Sequence, residues 1–349
     1  MSGSPRVTVD RGIVSVDGRR RFVHAVRLVP EHRGPGAIDP ADIDNALIAF
    51  AAIGGNGIVV RDVEPDVDLA AVTVTAEQLG LVVLSDRLLP RPRLRGLGWV
   101  HGDERELPDR LRRSLRPTRF LGGFGAPSVA ADDPLLTATD EGWRRIAGPG
   151  GAARTDDDAA CIERHTPPAA FDDAHAWAQA TRDYQAMVVR FHVEAARRCK
   201  YRAIGVVAPD ALLDPSGGLS PALLAPSGAG KEAFTALANV ARPILPIADR
   251  LPPHLHGNEA LALDLHVVND FDRPVERAEL LATLTWATDA QRFRFAGSVA
   301  ADAVQRIGTL SIVVPPVTGP LRLDLELHLA DGPVTATYRS DIYADPHDH

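Results

Sequence analysis

A change of period partway along the chain constrains the fold more than any single motif does. Between residues 21 and 88, apolar stretches of strand length alternate with stretches of helical spacing. RFVHAVRLVP (21–30) reads as a strand. PADIDNALIAFAAIG (40–54) follows with apolar residues at helical intervals and an aspartate at its start. GNGIVVRDV (55–63) is a second strand, LAAVTVTAEQLG (69–80) a second helix, and LVVLSDRL (81–88) a third strand. Strand–helix alternation of this kind implies a parallel sheet or a (β/α) barrel, because parallel neighbours need a crossover between them. From about residue 250 the period becomes two. LALDLHVVND, ELLATLTWAT, TLSIVVPP, LRLDLELHLADG and TATYRSDIY alternate apolar and polar residues, with turn signals between them. That is the pattern of a small antiparallel β-sandwich. The division falls near Pro246–Pro253, giving an α/β domain over 1–248 and an all-β domain over 249–349.

The middle of the chain is less regular. LGWVHGD (97–103) and TRFLGGFG (118–125) read as strands, but too few residues separate them for a complete strand–helix–strand unit of about 30. Residues 126–170 are rich in Pro, Gly, Asp and Ala and read as a long loop. The clearest helix is DDAHAWAQATRDYQAMVVRFHVEAARRC (172–199), which leads into a strand at YRAIGVVAPDALL. GKEAFTALANVARPIL (230–245) reads as a further helix stopped by proline.

Composition excludes several classes of partner. A net charge of −8 argues against nucleic acid and against anionic membrane surfaces, which select basic faces. No run of 18 apolar residues occurs, so membrane insertion is not expected, and MSGSPRVTVDRG has no apolar signal core. The expectation is a cytoplasmic protein. Two cysteines, Cys161 and Cys199, give neither a disulfide framework nor metal-ligand spacing. His24, His32, His254 and His256 stand near strand ends, where single histidines are more often hydrogen-bonded than metal-bound, so neither metal nor cofactor is expected. PSGAGKEAF (226–234) fails as a phosphate loop: Ala225 replaces the first glycine and Glu232 the Ser or Thr after lysine. No G-x-S-x-G elbow occurs.

The order of elements resembles the barrel and following β-sandwich of glycoside hydrolase family 2, particularly its β-mannosidase and endo-β-mannosidase branch. VDGRRRFVHAVRLVPEHRG is similar to the family's first barrel strand with its histidine-bearing tail. IGGNGIVVRDVEP resembles the second strand, with Arg61 where an active-site arginine stands, and EQLGLVVLSD resembles the third. RDYQAMVVRFHVEAARRCKYRAIGVVAPDALLD, GKEAFTALANVARPILP and LALDLHVVND follow, in order, its final barrel helix and strand, its K-x-A-Y helix and its first sandwich strand. The resemblance implies a degenerate (β/α)8 TIM-type barrel, complete or contracted, followed by an immunoglobulin-like β-sandwich.

It also implies a damaged active site. Retaining glycosidases need two carboxyl groups about 5 Å apart, one acid/base and one nucleophile. The family's S-E-F-G nucleophile motif is similar to Gly122-Gly123-Phe124-Gly125, which puts Gly123 where the glutamate belongs. In a second register RPTRFLGG matches a Thr-Arg-Pro turn of the family and the seventh strand is deleted; neither register supplies a nucleophile. The acid/base motif W-x-x-G-N-E is similar to WVHGDE (99–104): Trp99, Gly102 and Glu104 fit, while Asp103 replaces the asparagine. The other reading of Glu104 is a solvated carboxylate in the charged run DERELPDR. Only residues 105–122 lie between Glu104 and Gly123, where a full barrel places further strands and helices. The last barrel strand carries Pro209 and Asp210 where the family has a tryptophan platform, and Trp99, Trp143 and Trp177 are the remaining aromatic candidates. Trp177 sits at helical spacing and reads as core.

The leading expectation is therefore a catalytically inactive relative, binding a glycan through Arg61, His32, Trp99, Asp103 and Asp210 or serving as a structural subunit of a carbohydrate-processing assembly. An active hydrolase of β-mannosides or β-galactosides is the alternative, with Glu104 as acid and either a strand-end carboxylate (Asp62, Glu64, Asp86 or Asp210) or the substrate itself as nucleophile. A protein-interaction scaffold is a third reading, and homo-oligomerisation stays open.

Overall fold

The computed structural model describes residues 7–10, 13–29, 38–60, 67–85, 120–137, 143–144, 155–198, 205–252, 254–287 and 289–343. The chain divides into two compact units, residues 1–241 and 242–349.

The first unit opens with an antiparallel meander of β1 (Val7–Asp10), β2 (Ile13–Val16) and β3 (Arg19–Arg21). Asp17 and Gly18, with φ of 50° and 79°, make the turn that a two-residue hairpin needs. Then come five parallel strands: β4 (Val23–Arg27), β5 (Gly57–Val60), β6 (Val82–Ser85), β7 (Phe120–Phe124) and β8 (Val206–Pro209). They lie in the order β6-β5-β4-β8-β7, so the first of them pairs with the last in sequence. The expected eight-stranded barrel is not what the described residues display; they display this five-stranded parallel sheet. Residues 86–119, which include the strand read at 97–103, lie outside the described residues.

The helices between strands follow local signals. In α1 (Pro40–Ala52), Asp39 caps the first turn through a 2.8 Å bond from the Ala41 N–H, and Pro40 takes the position where its missing N–H costs nothing. Ile43, Ala46, Leu47 and Phe50 form its buried stripe. Asp68 caps α2 (Leu69–Gln78) in the same way. Between β7 and β8 lie α3 (Asp156–His165) and α4 (Ala174–Arg198). Three aspartates in the first turn of α3, with Arg164 and His165 in its last, complement the helix dipole. After β8 comes α5 (Glu232–Val240), the helix expected from the K-x-A-Y resemblance.

In the second unit, β9 (Ile244–Ala248), β10 (His254–His256), β11 (Ala260–Asn269), β12 (Val275–Trp286), β13 (Asp289–Val299), β14 (Ala303–Val313), β15 (Gly319–Leu329) and β16 (Gly332–Tyr343) form two sheets. Their orders are β10-β16-β15-β12-β13 and β14-β11-β9. β9 belongs here because its backbone pairs with β11, from Leu265↔Ala248 to Asn269↔Ile244. Leu261, Leu263 and Leu265 of β11 meet Leu323, Leu325 and Leu327 of β15 in one core. Side chains two apart share a face, so the period-two pattern becomes the sandwich interior. Each fully buried leucine contributes about 1.5–3 kcal/mol relative to exposure.

Candidate functional site

Alternation along the parallel strands builds the site. In β4, Val23, Ala25 and Arg27 share one face; Val206, Ala208 and then Asp210, just past β8, share the neighbouring column. Val23, Ala25, Val206 and Ala208 pack with Val59, Val82 and Leu84 into a single apolar cluster, and Val14 of the meander covers it. The face is thus closed and apolar at the strands' amino ends and turns polar at their carboxyl ends. In parallel α/β sheets, that carboxyl end is where ligands bind.

Arg27 and Asp210 meet there as an ion pair, Nη1 to Oδ1 at 3.8 Å, with side chains 11% and 7% exposed. Backbone bonds hold both. The Asp210 N–H donates to the Phe124 carbonyl at 2.9 Å, tying it to the end of β7. Two residues on, the Leu212 N–H donates to the Arg27 carbonyl at 2.7 Å, and the Leu213 N–H to the Leu28 carbonyl at 3.0 Å. The segment after β8 is therefore stitched to the ends of both neighbouring strands, and its leucines 212 and 213 are buried.

Gly123 completes the group. The β7–β8 register slips between Gly122↔Ala208 and Phe124↔Pro209, so Gly123 is the extra residue of a bulge. Its φ of +69° lies in the left-handed region. A Cβ built there points at the ion pair, 3.8 Å from Arg27 Nη2 and 3.8 Å from Asp210 Oδ1, with no clash. The space is open but the backbone is one a side chain occupies at a cost of about 1–2 kcal/mol.

Of the residues singled out in the sequence, Gly123 and Asp210 are thus brought together. Arg61, His32, Trp99, Asp103 and Glu104 lie outside the described residues, as do Asp62, Glu64 and Asp86. Trp143 does not offer a platform: it is buried against Trp177, ring centroids 5.4 Å apart. Trp177 is core as expected, its indole N–H donating to the Thr166 carbonyl at 2.9 Å. His24 is buried within β4, whereas His254 and His256 are exposed in β10. Among the described residues no group of three His, Cys, Asp or Glu side chains is placed to hold a metal, and no helix is long and apolar enough to cross a membrane. Arg27 was missed by sequence reasoning. The signal lay in the strand's own alternation, where Val23, Ala25 and Arg27 fall two apart and the arginine comes at the carboxyl end.

No family model matches the chain, and no curated protein matches it. Solved structures do. The exo-chitosanase CsxA of Amycolatopsis orientalis superposes with a TM-score of 0.65 at 12% identity, over 98% of this chain and 51% of that one. A β-D-mannosidase from Dictyoglomus thermophilum gives 0.66 at 11%, over 97% of this chain and 53% of that one. A variant of the same exo-chitosanase in complex with PNP-β-D-glucosamine gives 0.64 at 12%, over 96% and 51%. The chain therefore shares the fold of family-2-like glycoside hydrolases and spans about half the length of these relatives.

Proposed function

We propose that this protein is a catalytically inactive glycoside-hydrolase-like protein that binds carbohydrate at the carboxyl ends of its parallel strands, on its own or as a subunit of a carbohydrate-processing assembly. The observation that carries the reading is Gly123. It stands beside Arg27 and Asp210 at the strand ends, offers no atom to attack an anomeric carbon, and sits in a left-handed bulge poorly suited to a glutamate. The strand order supports the barrel behind this reading, since β6-β5-β4-β8-β7 is the order found on either side of a barrel's closing seam. The sandwich is read as immunoglobulin-like on the same resemblance.

The test is hydrolysis of aryl β-mannosides, β-galactosides and β-glucosaminides, with and without azide, alongside binding of the corresponding methyl glycosides. The expected result is binding without turnover, with azide restoring slow cleavage where the acid survives, because a small anion fills the space at Gly123. Turnover in plain buffer refutes the inactive reading. It would then favour the second reading, an active hydrolase, for which Asp210 is the candidate carboxylate that the structure places beside Gly123. In that case Asp210→Asn abolishes cleavage.

A further inference from the structure

We infer that Lys231 is a positioning residue: its ammonium clasps the segment after β7, which carries Gly123, to the segment after β8, which carries Asp210. Lys231 Nζ donates to Ser128 Oγ at 2.9 Å and to the Ser220 carbonyl at 3.1 Å. Ser128 lies just beyond Gly123, and Ser220 is in the segment that starts at Asp210. The two serines also exchange both backbone hydrogen bonds at 3.1 Å, forming an antiparallel bridge between the segments.

The rest of the cluster closes around this clasp. Ser128 Oγ donates onward to Gln185 Oε1 of α4 at 2.8 Å, and Gln185 Nε2 donates to the Pro221 and Ala222 carbonyls at 2.9 and 3.2 Å. Ser220 Oγ donates to Asp214 Oδ2 at 2.6 Å. Arg182 Nη1 donates to the Val129 carbonyl at 3.0 Å, and its Nε pairs with Glu232 Oε1 at 3.0 Å. One helix thus grips both segments and the first turn of α5.

The chemistry favours geometry over reactivity. Ser128 and Gln185 are fully buried and Lys231 is 5% exposed. The Ser128 proton is directed at Gln185, so Lys231 meets that oxygen as a donor and not as a base. A serine–lysine pair arranged this way does not generate a nucleophile. A buried ammonium demands polar partners where an apolar side chain of the same length would not. An apolar side chain, however, could not bond to two chain segments at once. Lys231 is thus one of three links between the strand-end segments, with the Ser128–Ser220 backbone bridge and Gln185, and it is the one that brings the α5 end to both. A binding site needs such support to hold its groups within about half an ångström.

The link from this clasp to sugar affinity rests on the proposed binding function; the clasp itself does not. Both are tested on the full chain with Lys231→Met, Ser128→Ala and a control, Phe50→Leu, in the α1 core. Hydrogen–deuterium exchange read by mass spectrometry should show both segments, 122–130 and 210–224, exchanging at least about tenfold faster in Lys231→Met. Ser128→Ala should give the same pattern more weakly, and it carries the test if Lys231→Met does not fold. Peptides of the second unit should be unchanged. Wild-type rates in these segments for both serine and lysine variants overturn the clasp. So does equal acceleration in Phe50→Leu at matched loss of Tm, since general destabilisation would then explain the effect. Methyl β-mannoside titration separates the two ideas. Wild-type binding weakened by about tenfold in Lys231→Met supports both. Faster exchange, with no sugar bound even by the wild type, leaves the clasp standing and removes the binding function.

Discussion

Replacing Gly123 with alanine isolates the backbone argument on which the inactive-site reading leans. The added Cβ meets its nearest atoms at 3.8 Å, which is ordinary van der Waals contact, so steric overlap contributes nothing. What remains is the cost of holding an L-residue at φ +69°, about 1–2 kcal/mol. Alanine also reduces the freedom of the unfolded chain, which offsets about 0.4–1 kcal/mol of that loss. The net expectation is destabilisation of about 1 kcal/mol, or a Tm lowered by about 2–4 °C for a unit of this size. Differential scanning calorimetry of the full chain measures it, with the transition of the first unit followed separately from that of the sandwich. The sign decides the matter. Were Gly123 in an ordinary negative-φ conformation with open space around it, the same substitution would raise Tm through the unfolded-state term alone. A rise in Tm would refute both the left-handed bulge and the argument that a glutamate is poorly accommodated there.

Three other perturbations test neighbouring parts of the structure. Arg27→Met removes the guanidinium paired with the nearly buried Asp210 carboxylate and should cost about 3 kcal/mol in urea unfolding. Arg27→Met combined with Asp210→Asn should recover much of that loss, and additive costs would sink the pairing. Trp177→Ala empties a fully buried site against Trp143 and strips the Thr166 carbonyl of its donor; a loss of about 3–5 kcal/mol in the same assay is expected. His165 stacks on Tyr184 at 4.5 Å, and burial, reinforced by Arg164, lowers its pKa to about 4. The folded form therefore binds the proton less readily than the unfolded chain, whose histidine titrates near 6.5. Its contribution is present above pH 6.5 and is lost as pH falls from there towards 4. Glu232 adds to the acid sensitivity below about 4.5, its normal range: burial raises its pKa, but its own backbone N–H, Gln179 and Arg182 together outweigh that and hold it lower. His165→Phe should flatten stability between pH 6.5 and 4, and an NMR titration of the imidazole near 6.5 would contradict the burial argument.

Local patterns in the sequence were enough to specify many of the elements, but not α3, which lies in the stretch read as a loop, nor β9, whose first residues were read as the end of a helix. Asp39-Pro40 and Asp68 start helices because a carboxylate caps orphan N–H groups wherever it stands before a helical stretch. Leucines two apart place β11 and β15 in a sandwich because strand side chains alternate between faces. The strand β13 escaped the same reasoning: it is an edge strand whose residues are mostly exposed, and its alternation is confined to Phe293 and Phe295, half-buried beside exposed arginines. Arg27 was hidden for the opposite reason, inside a stretch whose apolar character dominates, and its role appears only when β8 lies beside β4 and delivers Asp210 to it. Gly123 could be suspected from its neighbours in sequence, but its left-handed bulge is a product of the slipped pairing with β8. Lys231 and Ser128, 103 residues apart, read as a helix lead-in and a loop until the tertiary structure joined them. Periodicity and capping act over a few residues, so they are written locally. Charge pairs and buried donors act across strands that only topology brings together, and their partners become visible only in the folded chain.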